Sequence, residues 1–178
     1  MAQARGRVFF SLWPDDEVRE RIAAIAREWI GRSRGVAIRP GNFHVTLAFL
    51  GVLSAPALER ARAVGASLHG APFEFSLDTI ESWAAAAVLC LTATQPEPTL
   101  LSLAARLRFS LLAQQVDSSP QEFRPHVSLA RRPAVRIDAP IGPVSWRVCE
   151  FVLVESINSP SGSEYRILER WPLNEETV

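Results

Sequence analysis

Phe43-His44-Val45-Thr46-Leu47-Ala48-Phe49-Leu50-Gly51 is the stretch that decides how this chain folds, because its centre recurs later as His126-Val127-Ser128-Leu129. Two of the three histidines lie in these copies. Successive side chains of an extended strand point to opposite faces, so in each copy the imidazole and the hydroxyl share one face while Val and Leu share the other. Each copy is therefore predicted to be a strand with a chemical side and a core side. The copies stand nearly half a chain length apart, which predicts a duplicated half-domain. If the halves pack about a pseudo-two-fold axis, the chemical faces of the two strands meet across one cleft.

Working outward, residues 7–13 read as a strand, and Pro14-Asp15-Asp16-Glu17 supplies a helix start, with carboxylates at the positive end of the dipole. Val18, Ile22, Ile25 and Trp29 follow at helical spacing, with Gly31 expected to end the run. A short strand over 36–39 and a turn at Pro40-Gly41 lead into the first motif strand, 43–50. A second helix is predicted over 56–68, with Leu58, Ala61 and Leu68 inward and Gly65 weakening it. Phe73, Phe75 and Leu77 alternate with polar residues as in a half-exposed strand. Another strand spans 86–93, and a third helix spans 99–116 with Leu100, Leu103, Leu107 and Leu111 on its core side. The second motif strand lies near 125–131. Strands over 146–155 and 165–171, joined by a wide hairpin at 158–162, complete the chain. Strands joined by hairpins predict an α+β fold, not a doubly wound parallel sheet, built as a single domain over 1–178.

Composition narrows the function. Of 178 residues 48% are apolar and 21% charged, which is globular. No apolar run reaches the roughly 20 residues that a membrane span needs, and the N-terminal sequence has no secretion-signal pattern, so the cytoplasm is expected. Nineteen basic residues balance nineteen acidic ones, so any anion site must be local. Every basic residue is arginine. That reads as a compositional bias, with a functional role reserved for arginines beside the histidine motifs. Cys90 and Cys149 lack metal or redox spacing and are expected as buried thiols. His69, beside Gly70, reads as a surface residue.

A pair of histidines can hold one neutral and one protonated imidazole near neutrality. This suits in-line displacement at phosphorus, where a nucleophile loses a proton as a leaving oxygen gains one. The hydroxyls of Thr46 and Ser128 can donate to the non-bridging oxygens where charge develops. Zinc binding is a weaker reading, because neither motif carries a second ligand at suitable spacing. Ser-His-Asp catalysis is weaker too, since no Gly-x-Ser-x-Gly elbow is present.

Phe43 to Gly51, taken with Phe123-Arg124-Pro125-His126-Val127-Ser128-Leu129-Ala130-Arg131, resembles the two-histidine phosphoesterase superfamily, and within it the RNA 2′,3′-cyclic phosphodiesterases of the ThpR or LigT kind. The Arg39-Pro40-x-Asn42 lead-in and the region from Glu155-Ser156 to Tyr165 extend the likeness over nearly the whole chain. The resemblance implies a bilobal fold in which antiparallel sheets line a central cleft with helices outside. It implies metal-independent hydrolysis of 2′,3′-cyclic phosphate ends of RNA or nucleotides to a 2′-phosphate, with no cofactor; some relatives also join or cleave 2′,5′-linked ends. Carried onto matching positions, His126 is the general base, His44 the general acid, Thr46 and Ser128 bind phosphate oxygens, and Arg131 helps hold the phosphate. Arg124 is left between a site role and a surface ion pair. Cys90 stands where relatives often carry an aromatic residue, so a base platform is sought in Phe10, Trp13 and Phe43. A binder of phosphorylated RNA ends without turnover, or an enzyme for another phosphodiester, stays open. No protein partner or membrane is implied, and a monomer is expected.

Overall fold

The computed structural model describes residues 6–119, 122–159 and 162–174. The elements run β1 (Arg7–Leu12), α1 (Asp16–Ser33), β2 (Val36–Ala37), a 3-10 turn (Pro40–Asn42), β3 (Val45–Gly51), α2 (Ala55–Ser67), β4 (Phe73–Trp83), β5 (Val88–Thr92), α3 (Pro98–Ala113), β6 (His126–Arg131), β7 (Asp138–Val148), β8 (Glu150–Ser159) and β9 (Gly162–Pro172). Among the described residues the strands form two antiparallel sheets, ordered β3-β1-β8-β9 and β2-β6-β5-β4-β7. The fold is α+β, and the two motif strands fall in different sheets.

Helices tie the sheets together. α1 lies between β1 and β3 in sequence, yet packs on β6 and β7 of the five-stranded sheet; α3 lies between β5 and β6, yet packs on β3 as well as β4. Asp15 caps α1 by accepting from Val18 N at 2.8 Å, and Val18, Ile22 and Ala26 are its buried stripe. Gly31 does not end this helix. A single exposed glycine costs only about 1 kcal/mol, and the helix runs two residues further before Arg34 closes it in the left-handed region at φ 54°.

Neighbouring residues on β1 divide the interior. Phe10 and Leu12 face the main core with Phe151, Leu153 and the buried faces of the helices. Phe9 faces the other way, joining Val152, Val154, Trp13, Tyr165 and Ile167 in a separate small apolar cluster. The four-stranded sheet thus has a core on one face and an apolar floor on the other.

The structure differs from the expected pattern in further places. Residues 146–155 are not one strand: β7 ends at Val148 and β8 starts at Glu150 in the other sheet. Trp146 and Val148 pair with Phe75 and Phe73, whereas Phe151 and Val152 pair with Trp171 and Arg170, so Cys149 is the corner between sheets. A corner residue has no sheet face to shelter it, and Cys149 is exposed instead of buried. Gly65 does not weaken α2. Trp171 packs where its Cβ would be, 2.5 Å from the ring, so the glycine admits the indole against the helix. β7 also begins earlier than its Pro140-Ile141-Gly142-Pro143 segment suggests. Prolines are tolerated there because β7 is an edge strand with a register shift opposite Leu77 and Thr79.

Candidate active site

His44 immediately precedes β3, above the floor made by Phe9. Its ring centroid lies 4.9 Å from Phe9, 5.7 Å from Trp13 in a stacked arrangement, and 5.3 Å from Tyr165 edge-on. Nδ1 lies 2.7 Å from the Asn42 carbonyl, and Nε2 lies 3.0 Å from Thr46 Oγ1. A carbonyl only accepts, so Nδ1 carries a hydrogen. In the neutral ring Nε2 then accepts from the Thr46 hydroxyl. Asn42 is itself held, since its Nδ2 donates to the Ser163 carbonyl at 3.0 Å.

His126 opens β6 and repeats the device. Its Nδ1 lies 2.8 Å from the Arg124 carbonyl, again two residues upstream, which leaves the Nε2 lone pair free in the neutral ring. Trp83 packs against the imidazole at 4.4 Å between centroids, the rings tilted by 56°. Trp83 donates from Nε1 to Glu81 Oε2 at 2.7 Å, the Arg124 guanidinium sits 4.7 Å over the indole, and Arg124 Nη2 reaches the same Glu81 oxygen at 3.1 Å. Arg124 is thus both an ion-pair partner and a neighbour of the site.

The motif strands β3 and β6 touch, and two adjoining cavities open along them. One, of about 360 Å³, is bordered by His44, Thr46, Ser128, Arg131, Tyr165 and Arg7 among others. The other, of about 330 Å³, is bordered by His126, Trp83, Arg124, Arg108 and Phe123 among others. Thr46 and Phe49 line both, so they form one cleft with a histidine on each side. Both volumes fall in the range of small-molecule sites. His44 with Thr46 and His126 with Ser128 are therefore brought to one cleft as the motif alternation predicts, and Arg131, expected from the family resemblance, borders it too.

Phe10 and Phe43 cannot be base platforms. They are 0% and 1% exposed and belong to the main core. Each is the strand neighbour of a residue that faces the cleft side, Phe9 and His44, so alternation turns it inward. Trp13 is half-buried beneath His44. Besides Phe123 and the buried floor residue Phe9, the aromatic surfaces the cleft presents are Phe49, 40% exposed on the shared wall, Trp83 and Tyr165. Sequence reasoning missed these three. Phe49 lies in the quoted motif, but strict alternation groups it with Val45 and Leu47 on the core side, and irregular pairing between β1 and β3 is what leaves it exposed; Trp83 and Tyr165 arrive only through the pairing of distant strands.

Electrostatics set the resting protonation state. Burial among the rings, opposed by the Asn42 carbonyl and assisted by the charge of His126, lowers the pKa of His44 from 6.5 to about 4. Burial also lowers that of His126; the Arg124 carbonyl opposes this and the Arg124 cation adds to it. Both imidazoles are therefore neutral at pH 7 in the open cleft. Cys90, opposite Ser128 in the ladder, is pushed up to about 12 by burial despite a hydrogen bond with Ser128, and so is a neutral thiol. Among the described residues no three His, Cys, Asp or Glu side chains gather as metal ligands.

Known proteins share this sequence pattern and fold. The sequence profile of the 2′-5′ RNA ligase superfamily matches residues 14–159. The RNA 2′,3′-cyclic phosphodiesterase of Escherichia coli K12 is 30% identical over 171 residues, covering 95% of this chain and 97% of that protein. The RNA 2′,3′-cyclic phosphodiesterase of Thermus thermophilus is 30% identical over 190 residues, covering 96% and 91%. The crystal structure of E. coli LigT complexed with 3′-AMP superposes with a TM-score of 0.88 at 30% identity over 97% of this chain and 100% of that one. The crystal structure of TT0787 of T. thermophilus superposes with a TM-score of 0.82 at 28% identity over 96% and 99%.

Proposed function

This chain belongs to the 2′-5′ RNA ligase superfamily, and we propose that it hydrolyses the 2′,3′-cyclic phosphate at the end of an RNA or nucleotide, leaving a 2′-phosphate. The observation that carries the reading is the matched pair of imidazoles across one cleft, each fixed at Nδ1 by a carbonyl two residues upstream.

The phosphate lies between the histidines. Thr46 and Ser128 donate to its non-bridging oxygens, and Arg131, exposed at the cleft edge, offers a forked contact. His126 Nε2 takes a proton from water as the water oxygen bonds to phosphorus. The P–O3′ bond breaks in line, and His44 Nε2–H gives its proton to O3′. The enzyme begins with the proton on His44 and ends with it on His126; exchange with solvent resets the pair. His44 is neutral in the open cleft, so the bound phosphate anion supplies the charge that stabilises its imidazolium. Binding frees Nε2 from Thr46, whose hydroxyl turns to the phosphate.

The mechanism is metal-independent and needs no cofactor. Histidine, hydroxyl and guanidinium groups account for the proton transfers and the charge, and among the described residues the donor set around the cleft is not that of a metal site. Both motifs come from one chain, which supports a monomer acting as one catalytic domain of two lobes. No described helix is long and apolar enough to cross a membrane, and a cytoplasmic enzyme acting on RNA ends fits this. The test uses an oligoribonucleotide ending in a 2′,3′-cyclic phosphate. It should be converted to the 2′-phosphate product at an unchanged rate in excess chelator. A requirement for an added divalent ion would overturn the metal-free step, and tight binding of a 2′-phosphate end without turnover would make the chain a binder.

A further inference from the structure

We infer that Glu81, Trp83 and Arg124 form a clamp that positions His126 and balances the charge beside it, a role resting on the assignment of His126 as general base. Trp83 is the last residue of β4, and the turn after it is Ala84-Ala85-Ala86-Ala87, which offers no side chain large enough to buttress an indole. An aromatic ring at the end of a hairpin would ordinarily sample several rotamers. Here its polar edge is held and its ring is packed by two neighbours. Nε1–H donates to Glu81 Oε2 at 2.7 Å, and the Arg124 guanidinium lies over the ring at 4.7 Å. The ring also meets His126 at 4.4 Å between centroids, tilted by 56°. Glu81 Oε2 also accepts from Arg124 Nη2 at 3.1 Å, so one carboxylate oxygen holds both other members.

The backbone closes the unit. Glu81 and Trp83 are two residues apart on β4 and share a face. The Arg124 carbonyl that orients His126 Nδ1 belongs to the same residue whose side chain caps Trp83. Movement of the clamp therefore moves both the ring wall and the carbonyl that set the imidazole plane. A fixed base is what an in-line proton transfer requires, and a misplacement of about 1 Å can cost a hundredfold in rate.

The charges are arranged with equal consequence. Around His126 stand Arg124 from its own loop, Glu81 from β4, the neutral thiol Cys90 from β5, Arg108 of α3 and Glu122 on the cavity wall, and His44 across the cleft. Arg124 opposes protonation of His126, and Glu81 offsets that cation without touching the imidazole.

This arrangement makes a signed prediction for the pH dependence of kcat/KM on a cyclic-phosphate-ended oligonucleotide. Arg124→Gln removes the cation and should move the alkaline limb, which His126 sets because it titrates above His44, to higher pH. Glu81→Gln keeps an acceptor for the indole N–H but leaves Arg124 unbalanced, and should move that limb to lower pH. The double variant should return toward wild type. Trp83→Phe should lower kcat between about tenfold and a hundredfold with KM unchanged, and Trp83→Ala should lower it further. Shifts in the same direction for both charge variants, or no shift in either, would overturn the balance; wild-type kcat in Trp83→Ala would overturn the clamp. If His126→Ala itself keeps full activity, the base assignment has failed, and that result is separate from these.

Discussion

Removing His44 should change how acid unfolds this protein. The ring is enclosed by Phe9, Trp13 and Tyr165 and its pKa falls from 6.5 to about 4, while in the unfolded chain it returns to the ordinary value. The sign follows from proton binding. Between these two values the unfolded chain binds a proton that the folded one refuses, so stability is full above pH 6.5 and is lost as pH falls toward 4. At roughly 1.4 kcal/mol per pH unit of depression, the loss between pH 7 and pH 4 comes to about 3 kcal/mol. His44→Gln is neutral at both pH values and should lack this term. Urea unfolding of wild type and variant at pH 7, 5.5 and 4 measures it, and the contributions of His126 and the surface carboxylates cancel in the comparison. The variant should be less sensitive to acid by about 3 kcal/mol over that range. Parallel losses in the two proteins would refute the claim that burial holds His44 neutral.

Three further outcomes are expected. Because both free-enzyme histidines titrate below 6.5, the optimum of kcat/KM should lie acid of pH 6.5, with that of kcat at higher pH since bound phosphate stabilises the imidazolium; a kcat/KM optimum at pH 7 or above would contradict this. Thr46→Val or Ser128→Ala should each lower kcat by about a hundredfold with modest change in KM, measured under saturating oligonucleotide, because their hydroxyls act where charge develops. Gly65→Ala should destabilise the fold by about 1 to 3 kcal/mol in a denaturant titration, since the new methyl meets the Trp171 ring.

Strand alternation makes much of the site legible in the sequence. It placed His44 with Thr46 and His126 with Ser128, and the doubling of the phrase implied a shared cleft. The same rule turns two of the aromatics inward. Phe10 adjoins Phe9 and Phe43 adjoins His44, so neither could share its neighbour's face. The remaining features depend on pairing between segments far apart in sequence. Tyr165 reaches His44 through β9, and Glu81 and Trp83 reach His126 through β4 and β5, with no local pattern to announce either. The corner at Cys149 was hidden for another reason: Trp146 to Val154 is mostly apolar, broken by Arg147 and Glu150, and neither charge marks which sheet each half will join. The carbonyls of Asn42 and Arg124 are backbone groups, so residue type carries no sign of their role in fixing the imidazoles.

The central claim is that two imidazoles divide one proton transfer between them, and the rates of the single variants test it most directly. His44→Ala and His126→Ala, each shown to be folded by circular dichroism, are to be assayed on an oligoribonucleotide with a 2′,3′-cyclic phosphate end under single-turnover conditions. Each should lose at least about a hundredfold in the chemical step, the lower end of what a positioned acid or base contributes. The double variant should lose far less than the product of the two, since the pair acts as a unit. Near wild-type turnover in either single variant would contradict the division of labour.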